Sequence, residues 1–434
     1  MTRARGECCA GGCQALRSRV DVGSIVTQNP GSALIPAASG RSGDDPIFAL
    51  NAEAAARAQK GESILNATLG ALMEDDGTLA IMPSVVEAIA RVDPKRAAAY
   101  APILGDPGFL RAVVGDLFDA GPLSTRAVAA ATPGGTGAIH HAIVNFLEPG
   151  QSLLTAEYFW GPYRTIATHT GRAVETFPMF DAGGRFDLES FERALARQIA
   201  RQGRALVLLN FPCQNPTGYS LDADEWSGVA DIVRRAGEAA PVAFLLDHAY
   251  ARFGTAESRV WVEHAERMSE SAVVLVAWTA SKSFAQYGAR VGALVAVHPE
   301  PKQREAIRAA LGFSCRGTWS NCNHLGQLAI TTLLVDRELR ARADRERDGL
   351  VRLLRERVDA FHREAAKTTL RFPRYEGGFF VSVFTPDAER TARAMRAAGV
   401  YVVPLAGAVR VALCSTPARD VPRLVEALAR GVAE

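Results

Sequence analysis

Between about residues 80 and 340, short apolar runs alternate with amphipathic helical stretches. The clearest runs are Ala205–Asn210, Val242–Asp247 and Val273–Val276. Repeated alternation of this kind predicts an α/β layer with a mostly parallel sheet, because parallel strands need helical crossovers to connect them. Ligands of such sheets bind beyond the carboxyl ends of the strands. Asn215, Asp247 and Lys282 all fall at or just past such an end.

The rest of the chain is ordinary in bulk. Its 434 residues are 48% hydrophobic and 22% charged with a net charge of +2, so the totals point to no nucleic-acid or membrane surface. No apolar run is long enough to span a bilayer, and the first stretch lacks the apolar core of a secretory leader. Seven cysteines, an odd number at irregular spacing, argue against a disulfide framework. Cys8, Cys9 and Cys13 have no fourth ligand nearby, so free thiols are expected and no metal. A cytoplasmic enzyme is the expectation. Residues 1–43, rich in Gly, Ser, Ala and Arg, read as a flexible tail. Asp45-Pro46 reads as a helix start, and Arg340 to Arg363 as a long charged helix.

Lys282 follows the third apolar run, among small residues and hydroxyls in Thr279-Ala280-Ser281-Lys282-Ser283. A partly desolvated lysine has a lowered pKa, and its neutral amine suits imine formation with an aldehyde cofactor. Alone it reads more readily as a lysine capping a surface turn. Other residues extend the pattern. Thr132-Pro133-Gly134-Gly135-Thr136-Gly137 precedes a helix beginning near Ala138, and glycines there let backbone N–H groups approach a phosphate. It is not a P-loop, since no Gly-Lys-Ser/Thr follows. Asn215-Pro216-Thr217-Gly218 follows a strand and offers an amide donor to a phenolic oxygen. Asp247 in Asp247-His248-Ala249-Tyr250 is costly at a buried strand end unless paired, and a protonated pyridine nitrogen would pair it. Tyr250 then joins Asn215 at the ring oxygen. Arg290 and the Thr279 hydroxyl suit the phosphate. Trp160 suits stacking on a flat ring or core packing. Arg410, in a short strand Ala408 to Leu413, suits a carboxylate. Each has an ordinary reading alone, as a turn, a cap or a salt bridge; their joint order does not.

These residues resemble the class I aminotransferases of fold type I, on the aspartate and aromatic side, over about Ser63 to Leu428. The resemblance rests on Thr-Pro-Gly-Gly-Thr-Gly, Asn-Pro-Thr-Gly, Asp-x-x-Tyr and Ser-Lys-x-Phe-x-x-Tyr-x-x-Arg-Val-Gly. It implies pyridoxal 5'-phosphate as cofactor. It also implies a large cofactor-binding domain over residues 80–339, with a smaller α+β domain built from 44–79 and 340–434. Lys282 matches the Schiff-base lysine, Asp247 the partner of the pyridine nitrogen, and Asn215 and Tyr250 the ligands of the ring oxygen. Gly134, Gly135, Thr136, Thr279 and Arg290 match the phosphate cup, and Trp160 the stacking tryptophan. Arg410 and the backbone at Gly70 match the site of the substrate α-carboxylate. Tyr100 and Arg316 match residues lent by the partner subunit of a homodimer, Tyr100 to the phosphate and Arg316 to the distal carboxylate of a dicarboxylate. Glutamate and 2-oxoglutarate are therefore expected as one substrate pair.

Three positions depart from the family pattern. Gly134 stands where many relatives have a hydroxyl. Tyr163 replaces a histidine behind the pyridine-binding aspartate. Asn321-Cys322-Asn323 replaces Asn-Pro-Pro. The expected reaction is a ping-pong transamination between an L-amino acid and a 2-oxo acid, with Lys282 as general base at Cα. A β-eliminating lyase or synthase of the same fold uses the same cofactor residues, and Arg316 argues against it. A non-catalytic cofactor-binding regulator is the alternative from another class, disfavoured by the lack of an N-terminal DNA-binding module.

Overall fold

The computed structural model describes residues 33–41, 46–254 and 259–433. Most of the expected tail, with Cys8, Cys9, Cys13 and Asp45, lies outside the described residues. Residues 1–46 form one unit, of which a one-turn helix, Pro36–Ser39, is described. The chain from Ile47 onward forms the second unit.

Twelve strands are described, in chain order β1 (Leu65–Asn66), β2 (Ala127–Pro133), β3 (Ser152–Ala156), β4 (Ala173–Phe177), β5 (Ala205–Asn210), β6 (Val242–Asp247), β7 (Val273–Thr279), β8 (Val291–Val297), β9 (Phe380–Phe384), β10 (Val400–Tyr401), β11 (Val403–Leu405) and β12 (Ala408–Ala412). Seven form one sheet in the order β2-β8-β7-β6-β5-β3-β4. Strands β4, β3, β5, β6 and β7 run parallel, and β8 is antiparallel to both β7 and β2. The mostly parallel sheet expected from the alternation is therefore present, with one reversed strand.

The central strands are apolar on both faces, and the structure shows why. In β5, Ala205, Val207 and Leu209 enter one core while Leu206 and Leu208 enter the other. In β6, Val242, Phe244 and Leu246 divide from Ala243 and Leu245 in the same way. Each fully buried Val, Leu or Phe contributes roughly 1.5–3 kcal/mol. Two apolar faces also mean that a one-residue slip would expose no polar face, so burial alone does not set register. Polar strand ends do: Asn210 and Asp247 are register partners across β5 and β6.

Some element boundaries differ from expectation. Strand β7 runs on to Thr279, which caps the one-turn helix Ala280–Ser283 by accepting from the Ser281 N–H. The helix expected near Ala138 begins at Gly134, so the glycines form its first turn.

Beyond the main sheet, β11, β12 and β9 form an antiparallel sheet, and β1 pairs in parallel with β10, Leu65 beside Val400. The long helix spans Arg337–Ala365, starting three residues before the expected position because Asp336 caps the N–H groups of Glu338 and Leu339. Its buried Arg357 donates to the main-chain oxygens of Cys414 (2.6 Å) and Met73 (2.7 Å), fastening it to two segments that flank β12 and the 68–73 loop. No described helix is long and apolar enough to cross a membrane.

Candidate active site

The carboxyl ends of β2, β5, β6 and β7 open on one side of the main sheet, and the loops after them carry the candidate residues. The amide of Asn210, at the end of β5, links two of these loops. Its Nδ2 donates to the Asp247 main-chain oxygen and its Oδ1 accepts the Asn215 N–H, both at 2.8 Å. Asn215 Nδ2 then points at the Tyr250 hydroxyl, 3.4 Å away. Asn215, Asp247 and Tyr250 are all buried.

Lys282 sits in the turn after β7, with its Nζ 5.4 Å from the centre of the Tyr250 ring. Its side chain is half-buried. Enough protein surrounds the amine that desolvation holds its pKa below that of a free lysine, helped by Arg290 and opposed by Asp247. Asp247 is pushed the opposite way: burial raises its pKa, while the Tyr163 hydrogen bond and Lys282 pull it down. Desolvation thus disfavours a bare charge on either group, which suits a site completed by a cationic ring. Among the described residues Lys282 Nζ has no hydrogen-bond acceptor.

A second cluster lies at the N-terminus of the helix Gly134–Phe146. No side chain caps that helix, so its first N–H groups are left for another acceptor. Thr279 Oγ1 and Ser281 Oγ lie 3.0 Å apart, and Arg290 Nη1 is 3.5 Å from Ser281 Oγ. Arg290 Nη2 reaches the Pro133 oxygen at 3.3 Å. Arg290 itself adopts φ +53°, a left-handed conformation that costs a non-glycine residue about 1–2 kcal/mol. Gly134 has φ +71°, and a Cβ there would lie 2.5 Å from Arg290 Nη2. That explains the missing hydroxyl: the guanidinium fills the space a side chain at 134 would take. Gly135 is close behind, facing the Thr279 methyl, and the Thr136 side chain is exposed. Two hydroxyls, a guanidinium and free helix N–H groups make a donor set for a phosphate.

The third cluster surrounds Arg410 in β12. It is buried over the Phe380 ring at 4.4 Å and donates to the Thr68 oxygen at 2.8 Å and to Asn215 Oδ1 at 3.4 Å. Gly70 approaches the same ring so closely that a Cβ would lie 2.8 Å from Phe380 Cζ. The Tyr287 hydroxyl accepts the Leu72 N–H at 3.0 Å, tying the 68–72 loop to the Lys282 segment.

Trp160 is half-buried and meets Tyr163 edge-on, with ring centres 5.6 Å apart. Tyr163 is fully buried, and its hydroxyl donates to Asp247 Oδ2 at 2.5 Å. Two candidates stand apart. Tyr100 is 90% exposed, and Arg316, on the last turn of the helix Pro301–Gly317, is exposed and bonded to Ser320 Oγ at 2.6 Å. Among the described residues neither is hydrogen-bonded to the three clusters.

Asn210, Ser281, Tyr287 and Phe380 belong to the clusters but were not singled out in the sequence. Ser281 had a local signal, a hydroxyl between Thr279 and Lys282 in one turn. Asn210 had another, an amide ending an apolar strand. Tyr287 stood only as the tyrosine of the Ser-Lys-x-Phe-x-x-Tyr motif, with no role attached to it, and Phe380 had no signal, because its contact with Arg410 crosses from another strand.

The donor sets fit pyridoxal phosphate. An amine and a carboxylate lie within electrostatic reach of each other, the hydroxyl and guanidinium cluster suits a phosphate, and the neighbouring Asn215 amide and Tyr250 phenol offer donors for a ring oxygen.

The family model for class I and II aminotransferases matches residues 63–428. An aromatic-amino-acid aminotransferase from Paracoccus denitrificans is 29% identical over 392 residues, 88% of this chain and 96% of its own. The crystal structure of an aminotransferase from Anaerococcus prevotii superposes with a TM-score of 0.89 at 32% identity, covering 93% of this chain and 100% of that one. An aromatic-amino-acid aminotransferase from Burkholderia pseudomallei, whose crystal structure has it covalently bound to pyridoxal phosphate, shares the fold. There the TM-score is 0.75 at 23% identity, over 90% of this chain and 98% of that one. With a matching family model over most of its length, the chain belongs to the class I and II aminotransferases.

Proposed function

We propose that this aminotransferase uses pyridoxal 5'-phosphate to move an amino group between an L-amino acid and a 2-oxo acid in ping-pong order, with glutamate and 2-oxoglutarate as one pair. The observation that carries the reading is the juxtaposition of Lys282, with a depressed pKa and no acceptor, and the buried Asp247 close enough to interact with it. When bound, the cofactor supplies an aldehyde for the amine and a cationic ring that withdraws electrons from the substrate Cα.

The chain's own groups do the rest. Lys282, its pKa lowered by desolvation, would supply the amine that holds the cofactor's aldehyde and, once displaced by the substrate amine, would move the proton from Cα to the cofactor's C4′ carbon. Asp247 holds the ring nitrogen protonated. Asn215 and Tyr250 hold the ring oxygen, and Trp160 stacks on the ring face. Thr279, Arg290, Thr136 and the N–H groups at Gly134 and Gly135 hold the phosphate, with Ser281 beside them. Arg410, its planar fork over Phe380 and next to Gly70, fixes the α-carboxylate and so orients the Cα–H bond.

The same reading includes a homodimer, supported by the exposure of Tyr100 and Arg316, each suited to a neighbouring subunit's site. Arg316 there takes the distal carboxylate. Domain boundaries at 79/80 and 339/340 are supported by the β1–β10 pairing, which joins the segment before residue 80 to the C-terminal part. A reducing cytoplasm suits the free thiols Cys213, Cys315, Cys322 and Cys414.

The test adds one L-amino acid at a time to the loaded protein with no oxo acid present. Release of one matching 2-oxo acid per site, then arrest until 2-oxoglutarate is added, is the expected result. Continuous release of ammonia and pyruvate would make the chain a lyase instead.

A further inference from the structure

We propose that Tyr163 is a positioning residue whose hydroxyl keeps Asp247 ionised and aimed at the ring nitrogen of the cofactor. The inference rests on the pyridoxal-phosphate reading above. It concerns a residue that departs from the family pattern, where a histidine stands.

The geometry leaves the hydroxyl one role. Tyr163 lies in the first turn of the helix Pro162–His169 and is 1% exposed. Its phenol is held by the stacked Phe159 ring, with centres 6.2 Å apart, and by the Trp160 edge. The hydroxyl donates to Asp247 Oδ2 at 2.5 Å, while Oδ1 takes the Ala249 N–H at a longer 3.3 Å. The Tyr163 bond is the shorter of the two and the one made by a side chain. A fully buried hydroxyl with no partner would cost roughly 1–3 kcal/mol, so the two groups are mutually committed.

The direction of the bond is also settled. Burial and the adjacent carboxylate push the Tyr163 phenol well above its ordinary pKa of 10, so it remains a neutral donor. The titratable groups facing the pair are few. Lys282 interacts with Asp247 through space, and the Tyr250 phenol is itself raised by burial and by Asp247. His248, next in the chain, is pushed down to about 3 by burial and by Arg252, so it stays neutral. A donor hydrogen bond makes the carboxylate less basic, countering the upward push of burial. In competition for the proton between Asp247 and the ring nitrogen, the proton then stays on nitrogen. A histidine at this position can carry a charge of its own; a phenol cannot. The Tyr163 bond therefore favours the ionised carboxylate against the upward push of burial.

The test compares the wild type, Tyr163→Phe and Tyr163→His, each loaded with pyridoxal phosphate labelled with nitrogen-15 in the ring. The nitrogen chemical shift is followed against pH, alongside kcat and KM. The wild type is expected to show a protonated nitrogen at every neutral pH. Tyr163→Phe keeps the ring and loses the donor. It should move the shift toward unprotonated nitrogen and lower kcat roughly ten- to hundredfold with KM little changed, the loss expected for one hydrogen bond to a charged group. Tyr163→His changes the packing but restores a donor, and should recover both readouts in part. A packing role alone predicts the reverse ranking, with Phe close to wild type and His worse, and that ranking overturns the proposal. Wild-type protein that binds no cofactor refutes the underlying reading; bound cofactor with an unaltered nitrogen shift in Tyr163→Phe refutes this inference alone.

Discussion

Asn210 Nδ2 donates to the main-chain oxygen of Asp247 at 2.8 Å, locking the ends of two neighbouring parallel strands. The same amide accepts the Asn215 N–H, so one side chain positions both the carboxylate and the amide of the site. Asn210→Asp keeps the size but cannot donate when ionised, and it adds a second carboxyl beside Asp247. Stability should fall by about 1–3 kcal/mol in urea denaturation, with a clear loss of cofactor affinity. An unchanged midpoint and affinity would mean the amide link is unimportant.

Gly134→Ala should damage the phosphate cup. Its Cβ would lie 2.5 Å from Arg290 Nη2 at a φ of +71°, so Arg290 must move and the backbone is strained by about 1–2 kcal/mol. Gly135→Ala is the control, because its Cβ meets only the Thr279 side chain at 3.7 Å. Equilibrium dialysis of pyridoxal phosphate should rank the variants: Gly134→Ala much weaker, Gly135→Ala near wild type.

Lys282→Met should abolish turnover and raise the melting temperature of the cofactor-free chain at neutral pH. The folded-state pKa of Lys282 lies below its ordinary 10.5, so the unfolded chain binds the extra proton between the two values. The native lysine therefore penalises stability below the folded pKa. The penalty shrinks as pH rises and is gone above about 10.5. Melting curves of both proteins against pH should converge on the alkaline side; a constant difference would mean that Lys282 is not desolvated.

Arg410 and Arg316 should separate substrate classes. Arg410→Lys keeps the charge but loses the planar fork, and should raise KM for every amino donor. Arg316→Gln should lower kcat/KM for glutamate by about ten- to hundredfold and leave an aromatic donor nearly unaffected, since only the dicarboxylate has a distal charge to lose. Equal losses for both donors would remove Arg316 from the substrate site.

Arg357→Met tests the frame behind the site. It removes the guanidinium donor to the Met73 oxygen and one of the two donors to the Cys414 oxygen, which keeps the Met73 N–H. A loss of at least about 2 kcal/mol is expected, while kcat per folded site stays close to wild type. Denaturant titration beside active-site counting separates the two effects.

Local pattern alone announced the sheet. The runs at 205–210 and 242–247 are apolar throughout because both their faces are covered, and composition records that directly. The Lys282 turn, Asp247, Asn215 and the glycines at 134 and 135 were legible as candidates because each stands in a short local pattern, at a strand end or in the turn before a helix. Tertiary structure alone decided what those residues face. It brought Tyr163 to within 2.5 Å of Asp247, 84 positions further along the chain. It set Phe380 under Arg410, and it filled the space beside Gly134 with Arg290. Hydrogen bonds and ring contacts depend on distance in space, and sequence spacing encodes that distance only within a turn or a strand. Longer-range partners are chosen by the packing of the whole fold, which single segments do not contain.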